Sequence, residues 1–537
     1  MIKKITSLED EFSVGKAAAI IGFFTLLAKI VGFVRDPLFA TKLGVGDTLD
    51  IYYAAFRIPD FVFNLLILGT LSVALIPIFT EWLLKDKSKA YQIVNSVLNI
   101  SILAMGVLCL FLFAFSPYFT KLLVPGFSGE KLSQTIQLMR LFLLSPIIFT
   151  ASNIFSSVLN SQKKFLIVSL APILYNAGII AGLFFLYPKF GLLGLGYGVI
   201  FGALMHLCVQ IPEAIRFGFT WQPIVDLKNP ALRKIAKLFL PRIIGMDISQ
   251  ISLIVATTIG SVLAAGSVAT FTLANNLQAA PLGIFALSIA TASFPVMSEL
   301  YAKEDNDGFV NALGKNISQV LFFIIPISIL MVIFRAYIIR IPYGHGKVGW
   351  DETIGLFNTF GILTFSLIGQ SLSPLFSRSF YARHNTVIPV MVNLCSIVLD
   401  IVLAFTLGKK YGLSGIAAGF VIACTFDALC MFLVLRWKLH AEHISLSRLD
   451  KDLGIFITKL LGSSILMGFV SYACIYIFAP LVNTKTTIGI LIQSGLAVAV
   501  GLAVFLLIAS KLGLSQAKRT LEIFNKFRYT KGSPRHI

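Results

Sequence analysis

Apolar stretches long enough to cross a bilayer as a helix, about 20 residues each, recur from Ala17 to Ser510 and are separated by short polar patches. Their positions predict helices near 17–42, 49–82, 90–116, 132–160, 165–187, 192–217, 232–264, 268–300, 310–340, 352–382, 387–408, 413–437, 454–479 and 487–510. Barrel-type alternation is absent, and an open sheet cannot satisfy its backbone in lipid. The pattern therefore predicts an all-α polytopic membrane protein with roughly fourteen transmembrane helices. Several segments exceed what a bilayer needs, which predicts tilt, bending or extension into the cytoplasm.

The polar patches repeat. "NSQKKF" (160–165) followed by "KFGLLGLGYG" (189–198) parallels "YARHNT" (381–386) followed by "KYGLSGIAAG" (410–419), at an offset of 221 residues. "ALIPIFTE" (74–81) pairs with "ASFPVMSE" (292–299) at an offset of 218. An offset containing six spans makes the halves parallel, related by an axis along the membrane normal. The expectation is two six-helix lobes around a central cavity, 1–225 and 226–442. Residues 443–537 then hold two further helices and a basic tail.

Composition agrees with the pattern. Of 537 residues 57% are hydrophobic and 13% charged, with a mean hydropathy of +0.87; soluble domains are about a quarter charged. The net charge of +19 is distributed by topology. Basic residues gather in alternate connections, at Lys3 and Lys4, Lys85 to Lys89, Lys163 and Lys164, Arg233 to Lys237, and Arg436 and Lys438, and again in the tail from Lys518 to Arg535. These connections carry roughly two to three times the Lys and Arg of the others, which places both termini in the cytoplasm. Attraction to an anionic lipid surface accounts for the rest, so no nucleic-acid partner is implied. The six cysteines lie inside apolar runs and form no C-x-x-C, as small buried hydrophobes do. Ala17 to Phe39 is too long for a cleaved signal and reads as a retained helix.

Charges inside the apolar runs carry the functional information, because each costs about 2.5–3.5 kcal/mol at a helix centre. The first run holds Lys29, Arg35 and Asp36, with Gly32 and Pro37 as bending points. The second holds Asp47, Asp50, Arg57, Asp60 and Asn64; Asp50 and Arg57 are two turns apart on one face. The seventh holds Arg242 and Asp247, and the eighth an uncharged patch of Asn275, Asn276 and Gln278. Local pairing of Arg35 with Asp36 and Arg57 with Asp60 would neutralise some of these, while Lys29 could snorkel. Lys29, Arg35, Arg57 and Arg242 still outnumber the nearby acids, and guanidinium groups in a cavity suit a phosphate or pyrophosphate. Asp400 and Asp427 lie in the apolar eleventh and twelfth runs, with Ser396 one turn before Asp400. Such a carboxylate can hold Na⁺, carry a proton, or bond a neighbouring helix. For Asp427 the bond to a neighbouring helix is the preferred reading. Catalytic signals are missing: there is no HExxH and no Walker motif, and in "YGHGKVG" (343–349) Val348 stands where a phosphate loop needs Ser or Thr. A transporter is expected, not an enzyme.

"GFVRDPLFATKLGVGDTLDIYYAAFRIPDF", "VLNSQKKF...LAPILYN" and "SRSFYARHNTVIPV" resemble the MurJ (MviN) family, lipid II flippases of the multidrug/oligosaccharidyl-lipid/polysaccharide exporter superfamily. The resemblance runs from the first span through the twelfth. It implies a fourteen-helix, V-shaped, alternating-access transporter of the bacterial inner membrane, whose last two helices form a groove for the lipid tail. The implied substrate is undecaprenyl-pyrophosphate-linked disaccharide pentapeptide, moved outward for peptidoglycan synthesis. The family's functional cations fall on Lys29, Arg35 and Arg57 and its carboxylates on Asp36 and Asp50. Two departures stand out: a second arginine common after Arg57 is here Phe63, and an Asp-Arg pair of the eighth span is Asn275-Asn276. Arg242 is the expected substitute cation. Asp247, Ser396 and Asp400 are the expected counterpart of a Na⁺ site found in some members.

The expected substrate-binding set is thus Lys29, Arg35, Asp36, Asp50, Arg57, Arg242 and Asn276. Na⁺ or H⁺ is the expected coupling ion, with no other cofactor. Expected partners are lipid II, membrane lipids and peptidoglycan-synthesis proteins, around a monomer. A flippase for another polyprenyl-linked oligosaccharide is the alternative, followed by a cation-coupled drug exporter, which surplus arginine disfavours.

Overall fold

The computed structural model describes residues 14–66, 71–226, 229–230, 232–233, 248–483 and 486–530. Among the described residues the regular structure is entirely helical. Among the described residues nine helices are long and apolar enough to cross a membrane, and the pair Trp350–Thr364 and Ser366–Ala382, bent by 40°, makes a tenth. The longest, Val387–Ala441, has 55 residues and covers two of the predicted spans. Two predicted spans, 49–82 and 232–264, include residues outside the described set.

By its contacts the chain forms two compact units, Met1–Ala269 with Gly346–Val348, and Thr270–His345 with Gly349–Ile537. The first contains α1 (Val14–Leu43), α2 (Asp47–Leu66), α3 (Leu71–Lys85), α4 (Lys87–Ala114), α5 (Ser116–Leu123), α6 (Gly129–Phe142), α7 (Leu144–Ser161) and α8 (Phe165–Ala181). It continues through the short α9 (Tyr187–Phe190), α10 (Leu192–Cys208), α11 (Ile211–Arg216) and α12 (Ile248–Gly260) to the start of α13 (Ser267–Gln278). Leu75, Phe79, Tyr91, Val94 and Phe155 form a core where α3, α4 and α7 meet. The segment after α11 is pinned along α4 by amide side chains. Asn95 Nδ2 donates to the Thr220 carbonyl at 2.9 Å and Asn99 Nδ2 to those of Gln222 and Ile224 at 2.7 and 2.9 Å.

Lipid tails are as apolar as leucine, so helices in a bilayer associate through close packing and hydrogen bonds. The α8–α10 pair does this with glycine. A Cβ at Gly182 would overlap the Cα of Gly198, and one at Gly178 the backbone of Gly202. The chain reverses between these helices at Gly191, whose φ of 57° and ψ of −139° only glycine adopts without strain.

In the second unit Val387–Ala441 reverses at Gly412 with φ 58° and ψ −137°. Gly191 and Gly412 are related by the 221-residue offset. So are two left-handed non-glycine residues, Lys163 (φ 61°) and His384 (φ 56°). Hydrogen-bonded pairs repeat as well: Ser152–His206 matches Ser373–Asp427, and Ser156–Gln210 matches Ser377–Met431. The internal repeat is therefore one of backbone geometry and of contacts, with side chains exchanged inside them. The two C-terminal spans, Ser447–Phe478 and Thr487–Lys511, pack on each other, and the first also packs on Asn306–Ile333.

Candidate functional site

Pro37 sits inside α1, and the charged pair before it is built into the first unit. Arg35 Nε and Nη2 donate to Asp36 Oδ1 at 3.0 and 2.8 Å, and Nη1 donates to Asn176 Oδ1 on α8 at 3.2 Å. Asn176 is itself oriented by its Nδ2 bond to the Pro172 carbonyl, 2.9 Å. A guanidinium has five N–H donors; these three contacts fix its plane and leave two uncommitted, on a side chain 24% exposed. The predicted Arg35–Asp36 pairing is present, and it orients the arginine.

Arg57 lies on α2 and is 9% exposed. Its Nε donates to Thr257 Oγ on α12 at 2.9 Å. That hydroxyl gives its own proton to the Leu253 carbonyl at 2.7 Å, so its lone pairs face the arginine. Asp60, one turn further along α2, lies within electrostatic reach of both Arg57 and Arg35. Asn64, another turn on, donates to Gln250 Oε1 at 3.3 Å. Arg35, Asp36, Arg57 and Asp60 thus form one charged patch on α1 and α2.

Asp50 is placed elsewhere. Seven residues before Arg57, about 10 Å along the helix axis, it is 1% exposed and fully engaged. Its carboxylate accepts the Gly266 amide at 2.8 Å and the Ala269 amide at 2.9 Å, at the first turn of α13. Lys131 stands 3.2 Å away and reaches Asp47 at 2.5 Å. A negative group there satisfies the unpaired N–H groups of a helix start and meets its positive dipole end. Asp50 is a helix cap with a lysine counter-ion.

Beside the arginine patch lies a chamber of about 220 Å³ between α2, α6–α7, α8 and α10. Phe56, Pro59, Asp60, Phe63, Ser145, Phe149, Asn153, Pro172, Tyr175 and His206 line it. Phe149 is its aromatic centre, with ring centroids 5.0 Å from Phe63, 4.9 Å from Tyr175 and 5.2 Å from His206.

Of the other predicted residues, Lys29 is exposed on α1 and Asn276 is exposed in the second unit. Arg242 and Asp247 lie outside the described residues. Ser396 and Asp400 are buried in the second unit. There the Ser396 hydroxyl is 3.1 Å from Asp427 Oδ1, and Ser373 donates to Asp427 Oδ2 at 2.5 Å. Asp427 therefore ties neighbouring helices together, as its position in an apolar run suggested. Among the described residues no three His, Cys, Asp or Glu side chains stand together as metal ligands.

Lys131, Asn176, Thr257 and the chamber residues Asn153, Tyr175 and His206 were not singled out from sequence. Lys131 reads as a loop lysine, and Asn176 is one polar residue in a span. Only the rarity of amides and imidazoles in lipid-embedded helices marked Asn153, Asn176 and His206 at all.

Residues 39–517 match the profile of a family described as "Lipid II flippase MurJ". Over 470 residues the chain is 27% identical to the probable lipid II flippase MurJ of Buchnera aphidicola subsp. Schizaphis graminum, covering 87% of this chain and 90% of that protein. Over 397 residues it is 29% identical to the counterpart of Borreliella burgdorferi, covering 73% and 78%. Among solved structures, a lipid II flippase MurJ in an inward closed conformation superposes with a TM-score of 0.74 at 26% identity, covering 92% of this chain and 98% of that one. An inward-facing MATE transporter of the MOP superfamily shares the fold, with a TM-score of 0.65 at 18% identity, covering 79% and 98%.

Proposed function

The chain belongs to the lipid II flippase MurJ family, and from that premise we propose that Arg35 and Arg57 are the groups that take hold of the substrate's pyrophosphate. The protein is a multi-pass membrane transporter, not an enzyme. It carries lipid II from the inner to the outer leaflet by alternating access. The observation that carries the residue assignment is the oriented guanidinium of Arg35, fixed by Asp36 and Asn176 with two N–H groups to spare. Guanidinium presents paired donors that match phosphate oxygens. Arg57, buried on the neighbouring helix and anchored through Nε, supplies the second cation.

The rest of the reading builds on these two. Lys29, exposed on the same helix as Arg35, attracts the headgroup at the rim, and Arg242 completes the cradle in place of the arginine replaced by Phe63. Asn276 hydrogen-bonds the headgroup without charge. Asp50 acts through geometry, setting where α2 and α13 begin relative to each other. Both termini face the cytoplasm of the bacterial inner membrane, and the chain works as a monomer beside the peptidoglycan-synthesis enzymes. Membrane potential contributes about 2.3 kcal/mol per charge per 100 mV, which favours export of a doubly charged pyrophosphate from a negative interior. Na⁺ or H⁺ exchange at Asp247, Ser396 and Asp400 returns the carrier.

Replacement of the resident flippase in a bacterium depleted of it tests the reading. The full chain should restore outer-leaflet lipid II, and the Arg35→Gln, Arg57→Gln form should leave lipid II accumulating inside. Equal rescue by both forms would refute the residue assignment.

A further inference from the structure

The chamber behind the arginine patch has polar atoms with nothing to bond. Asn153 spends its Nδ2 on the Phe149 carbonyl of its own helix, 2.9 Å away, and among the described residues its Oδ1 accepts no hydrogen bond. His206 meets Ser152 Oγ through Nδ1 at 2.6 Å, so Nε2 is spare. The Tyr175 hydroxyl has no hydrogen-bond partner among the described residues either. All three side chains line the same space, on membrane-spanning helices where unmet polar groups are costly. The remaining wall is aromatic, with Phe63 and Tyr175 set against Phe149. Apolar rings with a few convergent polar atoms are the make-up of a site for a small polar ligand.

The chamber shares residues with the arginine patch. Asp60 lines it and lies within reach of both arginines. Tyr175, on its wall, precedes Asn176, which holds Arg35. A group covalently attached to a phosphate on Arg35 is brought toward the wall that Asp60 and Tyr175 contribute to the chamber. In a polyprenyl-pyrophosphate glycolipid that group is a sugar ring, one bridging oxygen from the distal phosphorus. The volume of about 220 Å³ is many times what a single water needs, which leaves room for one ring-sized polar group. A pyranose has weakly positive C–H faces that pack on the negative face of an aromatic ring. Its hydroxyl and amide groups can donate to Asn153 Oδ1 and Asp60 and accept from Tyr175.

We propose that this chamber seats the first sugar of the lipid-linked substrate, with Asn153 and Tyr175 reading its polar groups and Phe149 and Phe63 its ring. The proposal rests on the pyrophosphate reading above and gives the transporter a way to prefer a glycosylated lipid over the bare carrier.

The test uses the full chain in lipid nanodiscs and two probes, undecaprenyl pyrophosphate and the same lipid carrying one N-acetylhexosamine. Wild type should bind the glycosylated probe more tightly. Asn153→Ala and Tyr175→Phe should each weaken that probe by about tenfold while leaving the bare probe within twofold. Retained binding of the bare probe shows in the same experiment that the variant is folded. Variants that leave both affinities unchanged, or lower both alike, would overturn the sugar assignment. A wild-type protein that binds neither probe would instead overturn the pyrophosphate reading beneath it.

Discussion

Substituting Asp50→Asn isolates the cap between α2 and α13, because the side chain keeps its size and loses its charge. The carboxylate accepts two backbone amides, from Gly266 at 2.8 Å and Ala269 at 2.9 Å. An asparagine oxygen can serve one of them, and the other would face an NH₂ group. A buried N–H left unpaired costs about 1–3 kcal/mol. Loss of the Lys131 contact, 3.2 Å long and one-fifth exposed on the lysine side, adds about 0.5–1 kcal/mol. The expected destabilisation is about 1.5–4 kcal/mol, read as a shift in the SDS-unfolding equilibrium of the purified protein. Lys131→Met should cost less in the Asp50→Asn background than in wild type, by about 0.5–1 kcal/mol. A change below about 0.5 kcal/mol, the range of ordinary surface substitutions, would refute the capping role.

Three further outcomes are expected. Gly191→Ala and Gly412→Ala should each destabilise by about 1–3 kcal/mol in the same unfolding measurement. Their backbone angles agree to within a few degrees and nothing stands within 4 Å of either added methyl, so unequal costs would contradict a shared strain. Ser373→Ala should cost about 1–3 kcal/mol by removing the hydroxyl's bond to the Asp427 carboxylate, and a silent substitution would refute its helix-tying role. Outside the membrane, the Lys89 amide, followed by the Lys89 charge and the Ser88 amide, holds the Asp86 carboxyl below its ordinary 3.8. A depressed carboxyl stabilises fully above its unfolded value and ceases to as pH falls through the folded one. Hydrogen exchange at the first turn of α4 should therefore gain an extra acceleration below about pH 3.8; the same acceleration in Asp86→Ala would contradict the cap.

The helical layout was legible because each crossing must be apolar for its whole length, and the observed boundaries at Lys87–Ala114, Ser447–Leu481 and Thr487–Lys511 fall close to those predicted. The repeat was legible because its strongest marks are backbone necessities: a glycine where φ is positive, at 191 and again at 412. What escaped is what the repeat does not constrain. Ser152–His206 and Ser373–Asp427 occupy equivalent places, yet one partner is an imidazole and the other a carboxylate. In the arginine patch, local pairing of Arg35 with Asp36 is written in adjacent letters. Asp50 was grouped with that patch because two turns of helix put it on the same face as Arg57. Its partners are backbone amides 216 and 219 residues away, which carry no side-chain signature. The chamber escaped for a related reason: its lining comes from four helices far apart in sequence, α2, α7, α8 and α10, and no one stretch holds it.

The most direct measurement is the affinity of the purified chain for undecaprenyl pyrophosphate compared with the uncharged alcohol undecaprenol, in wild type and in Arg35→Gln, Arg57→Gln. Two guanidinium contacts to one diphosphate predict a preference of at least about tenfold in wild type, and its loss in the double variant. Equal affinity of wild type for the two lipids, or a preference that survives removal of both arginines, would contradict the account.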